Sequence, residues 1–184
     1  MSNENANEVK VTVLGLGYIG LPTAALLAKS GYLTAGYDVN PYVVDTINMG
    51  NIHIVEEGLQ DWVSSSVETG MLSAFNEPQP ADIYIICVPT PFKLSADGVK
   101  EPDVVYIETA VKSIAPMIKS GDLIILESTS PVGTTESILG LIQRHSDDVH
   151  DIYVAYCPER VLPGNIMHEI VLNDSLLPRT EPLS

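Results

Sequence analysis

The apolar positions of this 184-residue chain fall into two alternating kinds of block. One kind is short, continuous and rich in β-branched residues: Val9 to Leu14, Leu33 to Tyr37, Ala81 to Val88, Leu123 to Leu126 and Ile152 to Tyr156. Runs of that length and composition predict strands buried on both faces. The other kind is longer and periodic. An alanine- and leucine-rich stretch running to Ser30 favours helix, and Pro41 opens a second helix toward Met49, its ring suited to a first turn. From Glu57 to Thr69 the residues Leu59, Trp62, Val63 and Val67 recur at helical spacing, which places Trp62 in the core. Asp103 to Lys119 and Thr134 to Arg144 read as further helices, with Thr134 suited to cap the latter. Between them lies a Pro- and Gly-bearing stretch, Pro89 to Pro102, too irregular for a sheet interior and a candidate functional loop. Strands alternating with helices predict an α/β domain with a mostly parallel sheet and helices on both faces.

Charge narrows the range of partners. Nine Lys and Arg stand against 24 Asp and Glu, a formal net charge of −15, the wrong sign for a nucleic-acid backbone. No apolar run approaches the roughly 18 residues of a membrane span. Met1 to Glu8 is polar and acidic, so it reads as a disordered lead rather than a signal peptide, and the chain is expected to be cytoplasmic. Cys87 and Cys157 form neither a disulfide framework nor a zinc pair and read as small buried hydrophobes. His53, His145, His150 and His168 show no ligand spacing, so no metal is expected; His53 reads as a packed or loop residue. Asp147-Asp148 reads as solvated loop. A serine-hydrolase elbow and a Tyr-x-x-x-Lys relay are both missing.

The chemistry begins where the first strand ends. Gly15-Leu-Gly17-Tyr-Ile-Gly20 follows a strand and precedes a helix, the setting in which a G-x-G-x-x-G turn binds a dinucleotide. Gly15 permits the tight turn, Gly17 lets backbone approach a pyrophosphate, and Gly20 allows close helix–strand packing. Amides at the helix start face the phosphates. Asp38 lies 18 residues after Gly20, at the tip of the next strand. A carboxylate there accepts ribose hydroxyls and repels a 2′-phosphate, which favours NAD over NADP. The fold class predicted is therefore a Rossmann-type, doubly wound α/β domain. A methyltransferase-type variant of that fold, or a glycine turn in an unrelated α/β protein, are the competing readings.

Three more strand ends carry distinctive sequence: Val88-Pro89-Thr90-Pro91-Phe92, Glu127-Ser-Thr129-Ser-Pro-Val-Gly-Thr-Thr135, and Tyr156-Cys-Pro-Glu159-Arg160-Val161-Leu162-Pro163-Gly164. Taken singly each could be a turn with a helix cap; together they lie on the face where ligands of open α/β sheets bind. With Gly15 to Thr23 and Ile52-His-Ile-Val-Glu56, these segments resemble the nucleotide-sugar 6-dehydrogenases, the group containing UDP-glucose and GDP-mannose dehydrogenases. The likeness runs from about Val9 to Asp174 and is nearest to the branch acting on UDP-N-acetylhexosamines. It implies NAD-dependent oxidation of a sugar C6 alcohol to a carboxylate, through two hydride transfers and a cysteine thioester. By the resemblance Tyr18, Ile19, Asp38, Val88, Pro89, Thr90 and Thr129 contact NAD. Thr129 also positions the hydrolytic water, and Glu159 does acid/base work in thioester hydrolysis. Arg160, Val161 and Leu162 touch the UDP-sugar.

The chain also departs from that family. Its members continue into a central helical domain, through which they form homo-oligomers, and a second Rossmann-like domain. Those parts carry the lysine, asparagine and nucleophilic cysteine of the site, and neither cysteine here matches that nucleophile. The residues from Ser175 to Ser184 resemble nothing in the family and read as a disordered tail of a truncated or frameshifted product. Pro163 stands where the UDP-glucose enzymes place a second glutamate. Turnover by this chain alone is expected to be absent or very low, since no thiol captures the aldehyde. The other reading is a stand-alone NAD-binding module with a regulatory or vestigial role.

Overall fold

A computed structural model describes residues 9–94, 97–98, 100–145, 151–158 and 166–167. The chain order is β1 (Lys10–Leu14), α1 (Gly20–Lys29), β2 (Leu33–Tyr37), α2 (Pro41–Asn48), α3 (Leu59–Glu68), β3 (Leu72–Phe75), β4 (Ile83–Ile86), β5 (Phe92–Leu94) and β6 (Lys100–Pro102). There follow α4 (Val105–Ile114) with a 3-10 turn at Ala115–Met117, β7 (Leu123–Leu126), α5 (Thr134–Gln143) and β8 (Tyr153–Tyr156). Six strands pair in the order β3-β2-β1-β4-β7-β8, every pair parallel. The order reverses between β1 and β4, which opens a crevice at their carboxyl ends. This is the doubly wound α/β fold that the strand–helix alternation predicts.

Period-two alternation divides the apolar residues between two cores. Val11 and Val13 of β1 and Ile83 and Ile85 of β4 pack beneath α1 to α3, with Leu21, Ile47 and Val63. Leu14, Tyr84, Ile86, Ile124 and Leu126 point the other way, under Ile107, Val111, Ile138 and Ile142 of α4 and α5. Two buried hydroxyls in the sheet are satisfied locally: Thr12 Oγ1 donates to the Gln79 carbonyl at 2.8 Å, and the Tyr84 hydroxyl accepts the Ala81 N–H at 3.0 Å. Left unpaired, each would cost a few kcal/mol of desolvation.

Four expectations need correcting. β3 is a strand that the apolar pattern does not announce, because Leu72-Ser-Ala-Phe75 is short and has no β-branched residue. The stretch from Pro89 to Pro102 is not all loop, since β5 and β6 pair antiparallel within it. Thr134 does not cap α5. Gly133, at φ 90°, occupies the cap, and the Thr134 hydroxyl donates to the Pro131 carbonyl at 2.7 Å. Trp62 packs against the first core but only at its edge, half-buried, with Lys29 Nζ 4.9 Å from its ring centroid in a cation–π contact. The acidic pair Asp147-Asp148, the lead 1–8 and the tail 175–184 lie outside the described residues.

Candidate dinucleotide cleft

The cleft is built on the turn after β1. Gly15 adopts φ 90°, and a Cβ there would meet the Cys87 carbonyl oxygen at 2.8 Å. Its N–H donates to the Tyr37 carbonyl at 2.8 Å, which ties the turn to the tip of β2. At Gly20 a Cβ would fall 1.8 Å from the Gly15 carbonyl oxygen, so any side chain would push α1 off the turn. Gly17 differs from both. Nothing lies within 4 Å of its would-be Cβ, so the protein leaves that space open to a ligand.

Asp38, at the tip of β2, is half-buried and faces the same turn. Its Oδ2 accepts the Leu16 N–H at 3.0 Å and its Oδ1 accepts the Asn40 N–H at 2.9 Å. A carboxylate has about four lone-pair sites, so two remain for hydroxyls of a ribose. The acid therefore both sets the glycine turn and presents acceptors to the cleft.

A cavity of about 340 Å³ runs across these groups. Gly15, Gly17, Tyr18, Ile19 and Asp38 line one side; Val88, Pro89, Thr90 and Thr129 line the other. The structure thus brings nine of the sequence-predicted residues to one cavity, with Gly20 packed behind it. A second cavity of about 240 Å³ adjoins it past Asp38, walled by Tyr37, Val39, Tyr106 and Ala110. Its mainly apolar walls suit a flat heteroaromatic base. Nothing in the motif spacing points to Tyr106 or Val39, because the fold alone carries α4 beside the tip of β2. A third cavity, about 300 Å³, lies on the flank between Lys10, Thr12, Leu33, Ser73 and Phe75. It lies beside the strands rather than beyond their carboxyl ends, and its Thr12 hydroxyl is already committed to Gln79.

Glu127 is the residue that the sequence reading left without a role. It closes the far floor of the main cavity, where Cys87 Sγ donates to its Oε2 at 2.7 Å and Thr23 Oγ1 lies 3.3 and 3.2 Å from Oε1 and Oε2. Cys87 is thus a hydrogen-bond donor beyond the end of β4 that packs against the core without being fully buried, and Cys157 is also only partly buried, where full burial was expected. Next in the chain, Ser128 Oγ donates to the carbonyls of Ile86 and Val88, pinning the tip of β7 to that of β4.

Burial pushes the His53 imidazole below its usual pKa, a shift that the nearby Asp38 carboxylate opposes. Its Nδ1 is buried without a hydrogen-bond partner among the described residues. Burial, followed by the negative charges of Asp38 and Glu77, holds the Tyr37 phenol above its ordinary value, so it stays protonated at the cleft.

Glu159, Arg160, Val161 and Leu162 lie outside the described residues. Their flanks are placed. Cys157 N–H donates to the Leu126 carbonyl at 2.9 Å, and Glu56, almost fully buried, accepts the Ile166 and Met167 amides at 2.6 and 3.4 Å. Glu56 thereby binds the chain after this segment back onto the loop before α3. Its place in the Ile52-His-Ile-Val-Glu56 motif was the signal for it.

A strand–glycine turn–helix with an acceptor-bearing acid, opening at a topological switch, defines a dinucleotide-binding domain of a dehydrogenase. The chain belongs to the UDP-glucose/GDP-mannose dehydrogenase family, whose NAD binding domain matches residues 9–181. Among curated relatives, UDP-N-acetyl-D-mannosamine dehydrogenase of Yersinia pestis is 50% identical over 176 residues, 91% of this chain and 41% of the relative. NDP-N-acetyl-D-galactosaminuronic acid dehydrogenase of Ralstonia solanacearum is 48% identical over the same length and shares. Among solved structures, UDP-D-ManNAc dehydrogenase from Pyrococcus horikoshii superposes with a TM-score of 0.81 at 40% identity, covering 89% of this chain and 39% of that one. The chain spans about two-fifths of the length of the curated relatives it matches. NAD is the cofactor of the family's domain, and the open space at Gly17 and the spare acceptors of Asp38 fit it.

Proposed function

We propose that this domain serves an enzyme that oxidises the C6 alcohol of a UDP-N-acetylhexosamine, UDP-N-acetyl-D-mannosamine, to the uronate used in polysaccharide biosynthesis. The observation that carries the reading is the single cavity uniting the glycine turn, Asp38, the Val88-Pro89-Thr90 loop and Thr129. The curated relatives that share about half of its residues support the sugar class. Bound NAD+ supplies the hydride acceptor, and alcohol-to-carboxylate oxidation uses two equivalents.

The chain's own residues bind and orient. Amides at the start of α1 receive the pyrophosphate, and Asp38 takes the adenosine ribose hydroxyls while excluding a 2′-phosphate. Tyr18 and Ile19 cover the turn, and Val88, Pro89 and Thr90 close the opposite wall. Thr129, exposed beside the cavity, holds a water for attack on an acyl intermediate. Glu159 accepts that water's proton, a task open to a carboxylate at neutral pH. Arg160 contacts a phosphate or sugar oxygen of the substrate, with Val161 and Leu162 beside it. The thiol nucleophile, the lysine and the homo-oligomer contact belong to segments beyond this span. The enzyme acts in the cytoplasm, independently of nucleic acid and membranes; no described helix is long and apolar enough to cross a bilayer.

The test joins residues 1–174 to the remainder of the Yersinia pestis relative and follows NADH. The expected result is two NADH per UDP-N-acetyl-D-mannosamine, and none from the 184-residue chain alone. A chimera that turns over GDP-mannose instead would replace the substrate assignment. A folded chimera that binds NAD and oxidises neither sugar would favour the stand-alone module.

A further inference from the structure

The tip of β2 has a different neighbour on each side. Toward β1 lies the glycine turn, whose Gly15 N–H donates to the Tyr37 carbonyl. Toward β3 lies the turn at Asn76-Glu77, which is joined to the tip twice. The Asp38 N–H donates to the Phe75 carbonyl at 3.1 Å, and Asn76 Nδ2 donates to the Asp38 carbonyl at 3.0 Å. Gln79 Nε2 folds back to the Glu77 carbonyl at 3.1 Å. A second acid is thereby carried to the side of Asp38 that faces away from the glycine turn. Its side chain is exposed and forms no ion pair among the described residues. Its negative charge also reaches the cleft: after burial and the charge of Asp38, that of Glu77 helps to hold up the Tyr37 phenol, which walls the adenosine pocket.

The pyrophosphate of a dinucleotide lies at the glycine turn, so its adenosine ribose reaches from there to Asp38. A substituent on the 2′ oxygen then projects past Asp38, toward β3 rather than back over the turn. In NAD that oxygen is a neutral hydroxyl. In NADP it carries a phosphate monoester of about −1.5 to −2 charge at neutral pH. Such a group would meet Asp38 directly and Glu77 through intervening solvent. Charges at a surface act on one another over roughly a Debye length, about 8 Å at physiological salt.

We propose that Glu77 is a second determinant of cofactor choice: held beside the tip of β2 by the Asn76 bridge, its carboxylate adds to that of Asp38 in repelling a 2′-phosphate, and so favours NAD over NADP. This rests on the dinucleotide reading of the cleft given above. The two acids act differently. Asp38 offers acceptors that a ribose hydroxyl satisfies and a phosphate does not. Glu77 lines neither cavity and touches no part of NAD, so it discriminates by charge alone. Nothing in the glycine motif points to it, because it follows β3, a strand that the motif does not contain.

The test is calorimetric titration of the full chain with NAD+ and with NADP+, at low and at high salt. Wild type is compared with Glu77→Gln, which removes the charge, and Glu77→Lys, which reverses it. The ratio of NADP+ to NAD+ dissociation constants is expected to fall about threefold in Glu77→Gln and about tenfold in Glu77→Lys. Both gains should shrink at about 0.5 M salt, since the interaction is screened. An unchanged ratio in Glu77→Lys, or no NADP+ binding by that variant, overturns the proposal. So does a change that high salt leaves undiminished, which would mark a direct contact. Equal weakening of both cofactors overturns it too, since Glu77 would then be shaping the tip of β2. Failure of wild type to bind NAD+ would instead remove the dinucleotide reading itself.

Discussion

The two ends of the sheet use their acids in opposite ways. At the amino end, Asp82 and Asp122 precede β4 and β7, and Lys119 bridges them: its Nζ lies 2.7 Å from Asp82 Oδ1 and 3.1 Å from Asp122 Oδ1. The Lys10 amide closes on Asp82 Oδ2 at 2.9 Å, and the Lys119 amide on Asp122 Oδ2 at 2.9 Å. At the carboxyl end, neutral amides hold Asp38, and a hydroxyl and a thiol donate to Glu127. Charges closed on an opposite charge cancel their field and tie strands together. Asp38, fixed by neutral amides, keeps its field and directs it into the cleft. The amino end therefore holds the sheet, and the carboxyl end recognises a ligand.

The comparison breaks most sharply at Gly20, a stability residue inside the recognising end. Gly20→Val is expected to lose about 3 kcal/mol or more of stability, since its Cβ meets backbone rather than a side chain able to move. Thermal unfolding measures this, and a near-native melting temperature would show that the turn yields. Gly17→Ala, where space is open, should melt near wild type yet lose NAD binding.

Asp38→Ala comes next. Calorimetry should show NAD binding weakened by about 2 kcal/mol, roughly 30-fold, because hydrogen bonds to a charged acceptor are lost. An unchanged affinity removes Asp38 from the ribose role.

Lys119→Met tests the other end. It should cost about 1 kcal/mol, mostly because almost fully buried Asp122 loses a donor, and should leave NAD affinity unchanged. Asp82 and Lys119 themselves are substantially exposed, so solvent discounts their direct attraction.

The smallest effect is in pH. The Lys10 amide first, and then Lys119, hold the Asp82 carboxyl below its usual pKa. Its contribution is complete above the unfolded value of about 4 and disappears as pH falls through the lower folded value. Lys119 is raised, chiefly by Asp82 and then by Asp122. Its contribution is complete below about pH 10 and is lost as pH rises through the higher folded value. Stability from this cluster should be level between those limits. Since the Lys10 amide is the larger influence on Asp82, Lys119→Met should keep most of the acid-side loss while abolishing the alkaline one. Melting temperatures across pH would reveal an acid limb that vanishes with Lys119, if the ion pair dominates instead.

The legible parts of the molecule are those whose cause is local. β1, β2, β4 and β7 announce themselves through apolar runs, and the glycine turn through its spacing between a strand and a helix. Asp38 is legible because the crossover places the tip of β2 beside that turn at a nearly constant distance along the chain. β3 escaped, being an edge strand with small residues, and so did the β5–β6 hairpin, whose Phe-Lys-Leu and Lys-Glu-Pro strands are fully exposed. Glu127 stood in a quoted motif, but its neighbour Thr23 is 104 residues away, and no periodicity spans that distance.

By itself, then, the sequence determined the helices and most strands of the main sheet, the family and the turn that receives a dinucleotide, because propensity, period and glycine geometry act over a few residues. Only the tertiary structure decided which acids face the cleft and which are neutralised by Lys119. Asp38, Asp82 and Asp122 are the same functional group three times over. What separates them is the company that parallel crossovers bring to each, and so whether the charge is cancelled or offered.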